Sequence, residues 1–197
     1  MAVTQTQLLN KALTLVGANP IVSIDDDTQN ARILNRVYYI SLRSILSETK
    51  WNFATIRKLL SLSADTLEWY YANEAYVYAR PNNVVRIFGT NDDDATWREE
   101  GDYILSDTSG LGISYVQYLD NPNKYSASFT DAFIDKLCSD IAYMVVNSAS
   151  LGETYLKKYE GVSLPKARSE NAQVGTQQFV KDDAWERSMQ QNGSLTA

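Results

Sequence analysis

The sequence of 197 residues contains no histidine, a single cysteine (Cys138) and only four prolines. These absences remove whole classes of chemistry. A histidine-dependent triad, an intramolecular disulfide and a Cys/His zinc cluster all need residues that are not there. Cys138 sits in an apolar helical pattern, where a lone thiol is read as a small hydrophobe. No apolar run approaches the roughly 20 residues that span a bilayer, and the opening MAVTQTQLLNKALTLVG lacks a basic start followed by an apolar core. A soluble chain made without an export signal is expected.

Cations are also in short supply. Eighteen basic against twenty-four acidic residues give a net charge of −6. That balance argues against gripping nucleic acid by phosphate neutralisation, although an acidic wall suits a conduit through which DNA slides without sticking. Hydrophobic residues make up 44% of the chain, enough for one core or a compact domain with an insertion.

Helical periodicity is strong near the start. From Thr4 to Val16, Leu8, Leu9, Ala12, Leu13, Leu15 and Val16 fall on one broad apolar face, and Gly17-Ala18-Asn19-Pro20 supplies stop signals. The run Asp25-Asp26-Asp27 precedes a second pattern, where carboxylates are expected to cap free amides and favour the helix dipole. From Thr28 to about Lys50, Leu34, Val37, Tyr38, Ser41, Leu42 and Ile45 recur at helical spacing, with Arg32, Arg36 and Arg43 mostly off that face.

The pattern changes at Trp51-Asn52-Phe53. Beyond it, ATIRKLLSL and TLEWYYANEAYVYARPNNVVRIFGT are rich in aromatic and β-branched residues, broken at Pro81-Asn82-Asn83. Turns at Glu100-Gly101-Asp102 and at Thr108 to Gly112 predict a small antiparallel meander, with ISYVQYL alternating, that ends at Asn121-Pro122-Asn123. A helix resumes at about Ser126, with Ser128 and Asp131 at capping-box spacing and Phe133, Leu137, Ile141, Met144, Val145 and Ser148 on one face. Gly152 is expected to turn the chain into a last helix carrying Tyr155, Leu156, Tyr159, Ala167 and Ala172, with a kink or restart near 161–165 caused by Pro165. The fold class is therefore α+β: a bundle of about four helices with a central antiparallel β-rich insertion and a flexible C-terminal tail. The segments are 1–53 and 124–176 for the helical core, 54–123 for the insertion and 177–197 for the tail.

Candidate chemistry is sparse. Asp25 to Asp27 and Asp92 to Asp94 lack the glycine and glutamate of a calcium loop and read as caps and solvated loops, so no metal or cofactor is expected. Gly110-Leu111-Gly112 reads as a hairpin turn rather than a phosphate loop. Glu99, Glu100, Asp102 and Asp107, beside Trp97 and Tyr103, could form the paired carboxylates of a glycosidase, but acidic surface turns are common. The tail spaces Phe179, Trp185 and Met189, with Arg187, through polar sequence, a pattern suited to anchors that order on a partner.

Taken together, LNKALTLVGANPIVSIDDD and NARILNRVYYISLRSILSETKWNFA resemble the opening of the tail tubular protein A family, the head-to-tail adaptors of short-tailed bacteriophages. The shared arrangement is a short helix ending in Gly-x-x-Pro, an acidic loop, a long helix containing Asn-Ala-Arg, and Trp-x-Phe at its close. The resemblance implies a structural, non-enzymatic virion protein that forms a twelve-membered ring between the portal protein and the tail nozzle (tail tubular protein B type), and tail fibres are a further possible contact. Such a ring lines the channel through which DNA leaves, without specific binding, and would carry on the order of seventy net negative charges. It implies no catalytic residues, and Phe179, Trp185, Arg187 and Met189 become a candidate portal-docking tail. The alternatives are a carbohydrate-active tail accessory protein using the acidic residues of the β-rich region, and a terminator or connector of another tail type. Trp51 and Phe53, where helical period gives way to strand-like sequence, are expected to be at least half buried as a structural joint.

Overall fold

The computed structural model describes residues 3–65, 67–71 and 73–174, and their architecture is mixed α+β. Four helical rods pack against two three-stranded antiparallel sheets. The first rod, α1 (Gln5–Val16), buries Leu8, Leu9, Ala12, Leu13 and Val16. Thr4 caps it in a reciprocal box with Gln7, and Gly17, left-handed at φ 79°, closes its end. Leu15, expected on the apolar face, is exposed.

The long helix α2 (Gln29–Ser47) buries Leu34, Tyr38, Ser41, Leu42 and Ile45. Its cap is the Thr28 hydroxyl, which accepts the Ala31 N–H at 3.3 Å, rather than the aspartates before it. Asp26 instead closes its own loop by accepting the Val22 and Ser23 N–H groups, each at 2.9 Å, and Asp27 pairs with Arg32. A hydroxyl directly at the helix entrance is better placed than carboxylates one turn upstream.

Helix α3 (Ala127–Val146) begins where helical periodicity is expected to resume, at about Ser126, but Ser128 is not its cap. Ser126 is the cap, accepting the Phe129 N–H, and Ser128 is buried inside the first turn. The reversal after α3 is made by Asn147, left-handed at φ 53°, and by Ser148, which caps α4 (Ala149–Lys158). Gly152 is not the turn. It lies within α4, where a Cβ would sit 3.2 Å from the Ser139 carbonyl of α3, so its role is close helix approach. A π turn over Tyr159–Ser163 joins α4 to α5 (Leu164–Gln173). The Leu164 N–H reaches back five residues to the Tyr159 carbonyl, so the rod absorbs Pro165 by widening a turn instead of breaking.

The strands do not form a sequential meander. β1 (Thr55–Leu59), β6 (Gly112–Gln117) and β3 (Val84–Thr90) make one sheet in the order β1-β6-β3. β2 (Tyr76–Ala79), β5 (Tyr103–Ser106) and β4 (Trp97–Glu100) make the other, in the order β2-β5-β4. Only β4 and β5 are joined as the expected hairpin, around Gly101 at φ 57°. Thr108 to Gly112 is a crossover between sheets, pinned by buried Tyr78. The Tyr78 hydroxyl donates to the Thr108 carbonyl at 2.8 Å and accepts the Leu111 N–H at 3.3 Å. The first sheet is a middle layer. Val116 of β6 packs into the helical core, whereas Ile113 and Tyr115 pack with Tyr78 and Ile104 of the second sheet. With both faces partly covered, β6 is buried without alternation, unlike its expected half-buried pattern.

Cys138 is buried, its thiol directed at the Ala12 carbonyl, and burial pushes its pKa up to about 12. Among the described residues no helix is long and apolar enough to cross a membrane.

Candidate functional site

Trp51 lies between the end of α2 and the short 3-10 turn Asn52–Ala54 that leads into β1. Its indole is fully buried, and Nε1–H donates to the Ile45 carbonyl at 2.8 Å. One of the carbonyls left over at the end of α2 is thereby satisfied. Its ring meets Phe129 edge-on with centroids 4.9 Å apart, and partly buried Phe53 packs on Phe129 at 4.7 Å and on Tyr125 at 5.5 Å.

The joint is also clasped by the last helix. The Asn52 N–H donates to Asn171 Oδ1 at 2.9 Å, Asn52 Nδ2 to the Asn171 carbonyl at 2.7 Å, and Asn171 Nδ2 to the Lys50 carbonyl at 2.9 Å. Beside it, the Tyr38 hydroxyl donates to Asp120 at 2.6 Å and Tyr125 to the Leu119 carbonyl at 2.8 Å. Burial, reinforced by Asp120, pushes both phenols well above their ordinary value. Both phenols keep their protons at neutral pH and so serve as hydrogen-bond donors that hold the joint in shape.

Phe179, Trp185, Arg187 and Met189 lie outside the described residues. Other large apolar groups face solvent. On the loop between β1 and β2, Trp69 is 63% exposed and meets Tyr71 at 4.7 Å, while Arg98 lies over Tyr71 at 4.2 Å. Leu62 and Tyr70 are exposed in the same segment. On the outer side of α2, Ile40 is 68% exposed beside Tyr39, which tilts against Tyr118 at 4.9 Å. At the end of α3, Tyr143 and Met144 are exposed. The run Trp69-Tyr70-Tyr71 in polar sequence was the available signal for the first patch. Tyr39 and Ile40 hide in the periodicity of α2.

The acidic residues of the second sheet do not converge. Glu99 pairs with Arg80, while Glu100 meets Arg98 at 2.9 Å on the opposite side of the strand. Asp107 accepts the Thr108 hydroxyl at 2.9 Å and the Thr96 N–H at 3.0 Å, bonds that hold its pKa below the ordinary carboxylate value. Asp102 lies in the β4–β5 turn, where its carbonyl accepts the Arg80 N–H at 2.9 Å. This arrangement supplies ion pairs and turn hydrogen bonds. A general acid would need a carboxyl that retains its proton, the reverse of what Asp107 shows.

One concave surface is distinctive. A groove of about 570 Å³ opens where the first sheet extends beyond the helices. Gly89, Gly112 and Ser114 lie in it, with Lys50, Arg57, Lys58, exposed Leu59 and Asp93 along its sides. Arg57, Ser114 and Gly89 are register partners across β1, β6 and β3. The Ser114 hydroxyl is buried and has no hydrogen-bond partner among the described residues. Compared with known proteins, the chain matches no protein-family model and no curated protein.

Proposed function

We propose that this chain is a structural head-to-tail adaptor of a short-tailed bacteriophage, a ring subunit that sits between portal and tail nozzle and lines the channel through which DNA leaves. The observation that carries this reading is the placement of large exposed apolar side chains on separate faces. Leu62, Trp69, Tyr70 and Tyr71 lie on the β-rich part, and Tyr39 and Ile40 lie on the outer side of α2. A ring built head to tail needs two different surfaces on every subunit, one to give and one to receive, whereas a two-fold dimer needs only one. Aromatic groups at such surfaces bury much area for little side-chain entropy.

The helix–turn–helix opening and its Trp-x-Phe close, which resemble the tail tubular protein A family, supply the partner assignment. The net charge of −6 per subunit favours a wall that repels DNA. The test is assembly: light scattering on the purified protein alone and with its portal, followed by cryo-electron microscopy of the mixture. A ring of about twelve subunits, as the resemblance implies, supports the reading. A protein that stays monomeric in both and forms no ring on the portal refutes it.

A further inference from the structure

The basic groove stands out in an acidic chain. Lys50, Arg57 and Lys58 all line it, and among the described residues none of the three lies within ion-pair distance of a carboxylate. Asp93 is the only acidic group among the described residues of the lining, which therefore carry three positive charges and one negative. The groove offers room at Gly89, whereas at Gly112 the Asn91 side chain lies 3.2 Å from where a Cβ would sit. A Cβ added at Gly89 would meet nothing within 4 Å, and the buried Ser114 hydroxyl has a hydrogen to donate and no acceptor. Buried hydroxyls are normally paired, so this one marks a place for an acceptor brought by a ligand. Leu59, 67% exposed in the same groove, adds an apolar seat. Cations along the sides, an orphan donor below and an apolar spot together fit an extended acidic peptide carrying one large hydrophobe. Among the described residues no aromatic side chain lines the groove, so these residues supply no stacking platform of the kind a single-stranded nucleic-acid site uses.

The chain carries such a peptide, and α5 ends beside the backbone of one groove residue. Asn171, near the end of α5, is bonded to the backbone of Lys50, a wall of the groove, and Val174 follows three residues later. Eight residues beyond Val174, a span of up to about 28 Å when extended, begins Asp182-Asp183-Ala184-Trp185-Glu186, three carboxylates around a tryptophan. We propose that this acidic stretch docks in cis in the groove between β1, β6 and β3. Its carboxylates meet Lys50, Arg57 and Lys58, one acceptor takes the Ser114 hydroxyl, and Trp185 covers Leu59. The inference does not depend on the adaptor role, and it stands or falls separately from ring formation.

Trypsin provides the test on the full-length protein, because Lys181 and Arg187 bracket the acidic stretch. Cleavage after these two residues, timed by mass spectrometry, reads how often the stretch is undocked. Three exposed charge pairs are together sufficient for about tenfold protection. Neutralising the groove (Lys50→Gln, Arg57→Gln, Lys58→Gln) is expected to speed cleavage at both sites by about that factor, and 0.5 M salt to do the same to the parent protein. Neutralising the stretch (Asp182→Asn, Asp183→Asn, Glu186→Gln) speeds it similarly.

The combination distinguishes contact from coincidence. If the two surfaces touch, applying both sets together adds little to either alone, whereas independent effects multiply. Multiplying effects, or an unchanged rate in the groove variant, overturns the proposal. Protection that grows with protein concentration assigns the groove to a second copy and overturns docking in cis. The stretch variant leaves every described side chain intact, so its outcome is informative even if the groove variant folds poorly.

Discussion

Removing the indole of Trp51 tests the joint directly. Two contributions can be separated there. The first is packing: a fully buried tryptophan edge-on to Phe129 and tilted against Phe53 loses its whole contact surface in Trp51→Ala, and such truncations cost about 3–5 kcal/mol. The second is the bond from Nε1 to the Ile45 carbonyl, which Trp51→Phe removes while keeping much of the ring. That carbonyl also accepts the Glu48 N–H at 3.3 Å, so it is not fully orphaned, and the bond itself contributes about 1 kcal/mol. Urea unfolding followed by circular dichroism should therefore order the proteins as parent, Trp51→Phe, Trp51→Ala. The alanine variant should lose about 6–20 °C in Tm for a chain of this size. Loss of assembly, if any, should appear only under conditions where the variant has begun to unfold. An alanine variant within about 1 kcal/mol of the parent that nonetheless fails to assemble would refute the joint and make Trp51 a contact residue.

Gly152→Ala should destabilise, although alanine is the better helix former by about 1 kcal/mol, because its Cβ would press on the Ser139 carbonyl of a packed helix. A urea midpoint above the parent's would contradict that. Stability should fall as pH rises from 9 towards 12: the unfolded chain releases the Cys138 proton near 9.0 while the folded thiol holds it to about 12, so the protection is complete below 9 and lost above it. Each proton contributes a slope of about 1.4 kcal/mol per pH unit, and Cys138→Ala should flatten the urea-midpoint profile by about one proton. Ile40→Asp, on a side chain already in solvent, should leave Tm near the parent value and block ring assembly in light scattering, whereas an unaffected ring would remove the outer side of α2 from the interface.

The helices were legible because their periodicity is long and their buried positions repeat. Leu8 to Val16 and Leu34 to Ile45 each report one packed face, and the misses were the exact caps and single edge positions such as Leu15 and Met144, which are exposed. The missed caps share a cause. Thr28, Ser126 and Asn147 act through a single backbone bond each, and neighbouring Asp27, Ser128 and Gly152 offer equally plausible chemistry to a reader of sequence alone. The strands were legible one by one, but their pairing was not. β6 reads as a half-buried strand, yet it lies central in its sheet with both faces partly covered, so its partners are set by tertiary packing rather than by the turns beside it. The groove left no linear signature, since Lys50, Arg57, Gly89 and Ser114 are spread over 65 positions.

The two functions of β6 explain why a groove exists at that place. Within one side of the strand, Val116 fills the helical core, half-buried Ser114 borders the groove, and buried Gly112 is covered by the Asn91 side chain, so the same face passes from helix packing to groove wall within four residues. Had the open half carried valine or leucine, the uncovered surface would be a sticky apolar shelf at the end of a sheet, an invitation to non-specific pairing. Glycine and serine in the sheet, with lysine and arginine around them, remove that hazard and leave a shallow cationic surface in a chain that is otherwise acidic. Leu59 remains exposed at the groove, and exposed aromatic side chains lie elsewhere, on the β1–β2 loop, on α2 and at the end of α3. The molecule thus separates two kinds of surface: exposed aromatic patches with area to bury, and a polar groove whose charge is opposite to that of an acidic stretch of its own sequence.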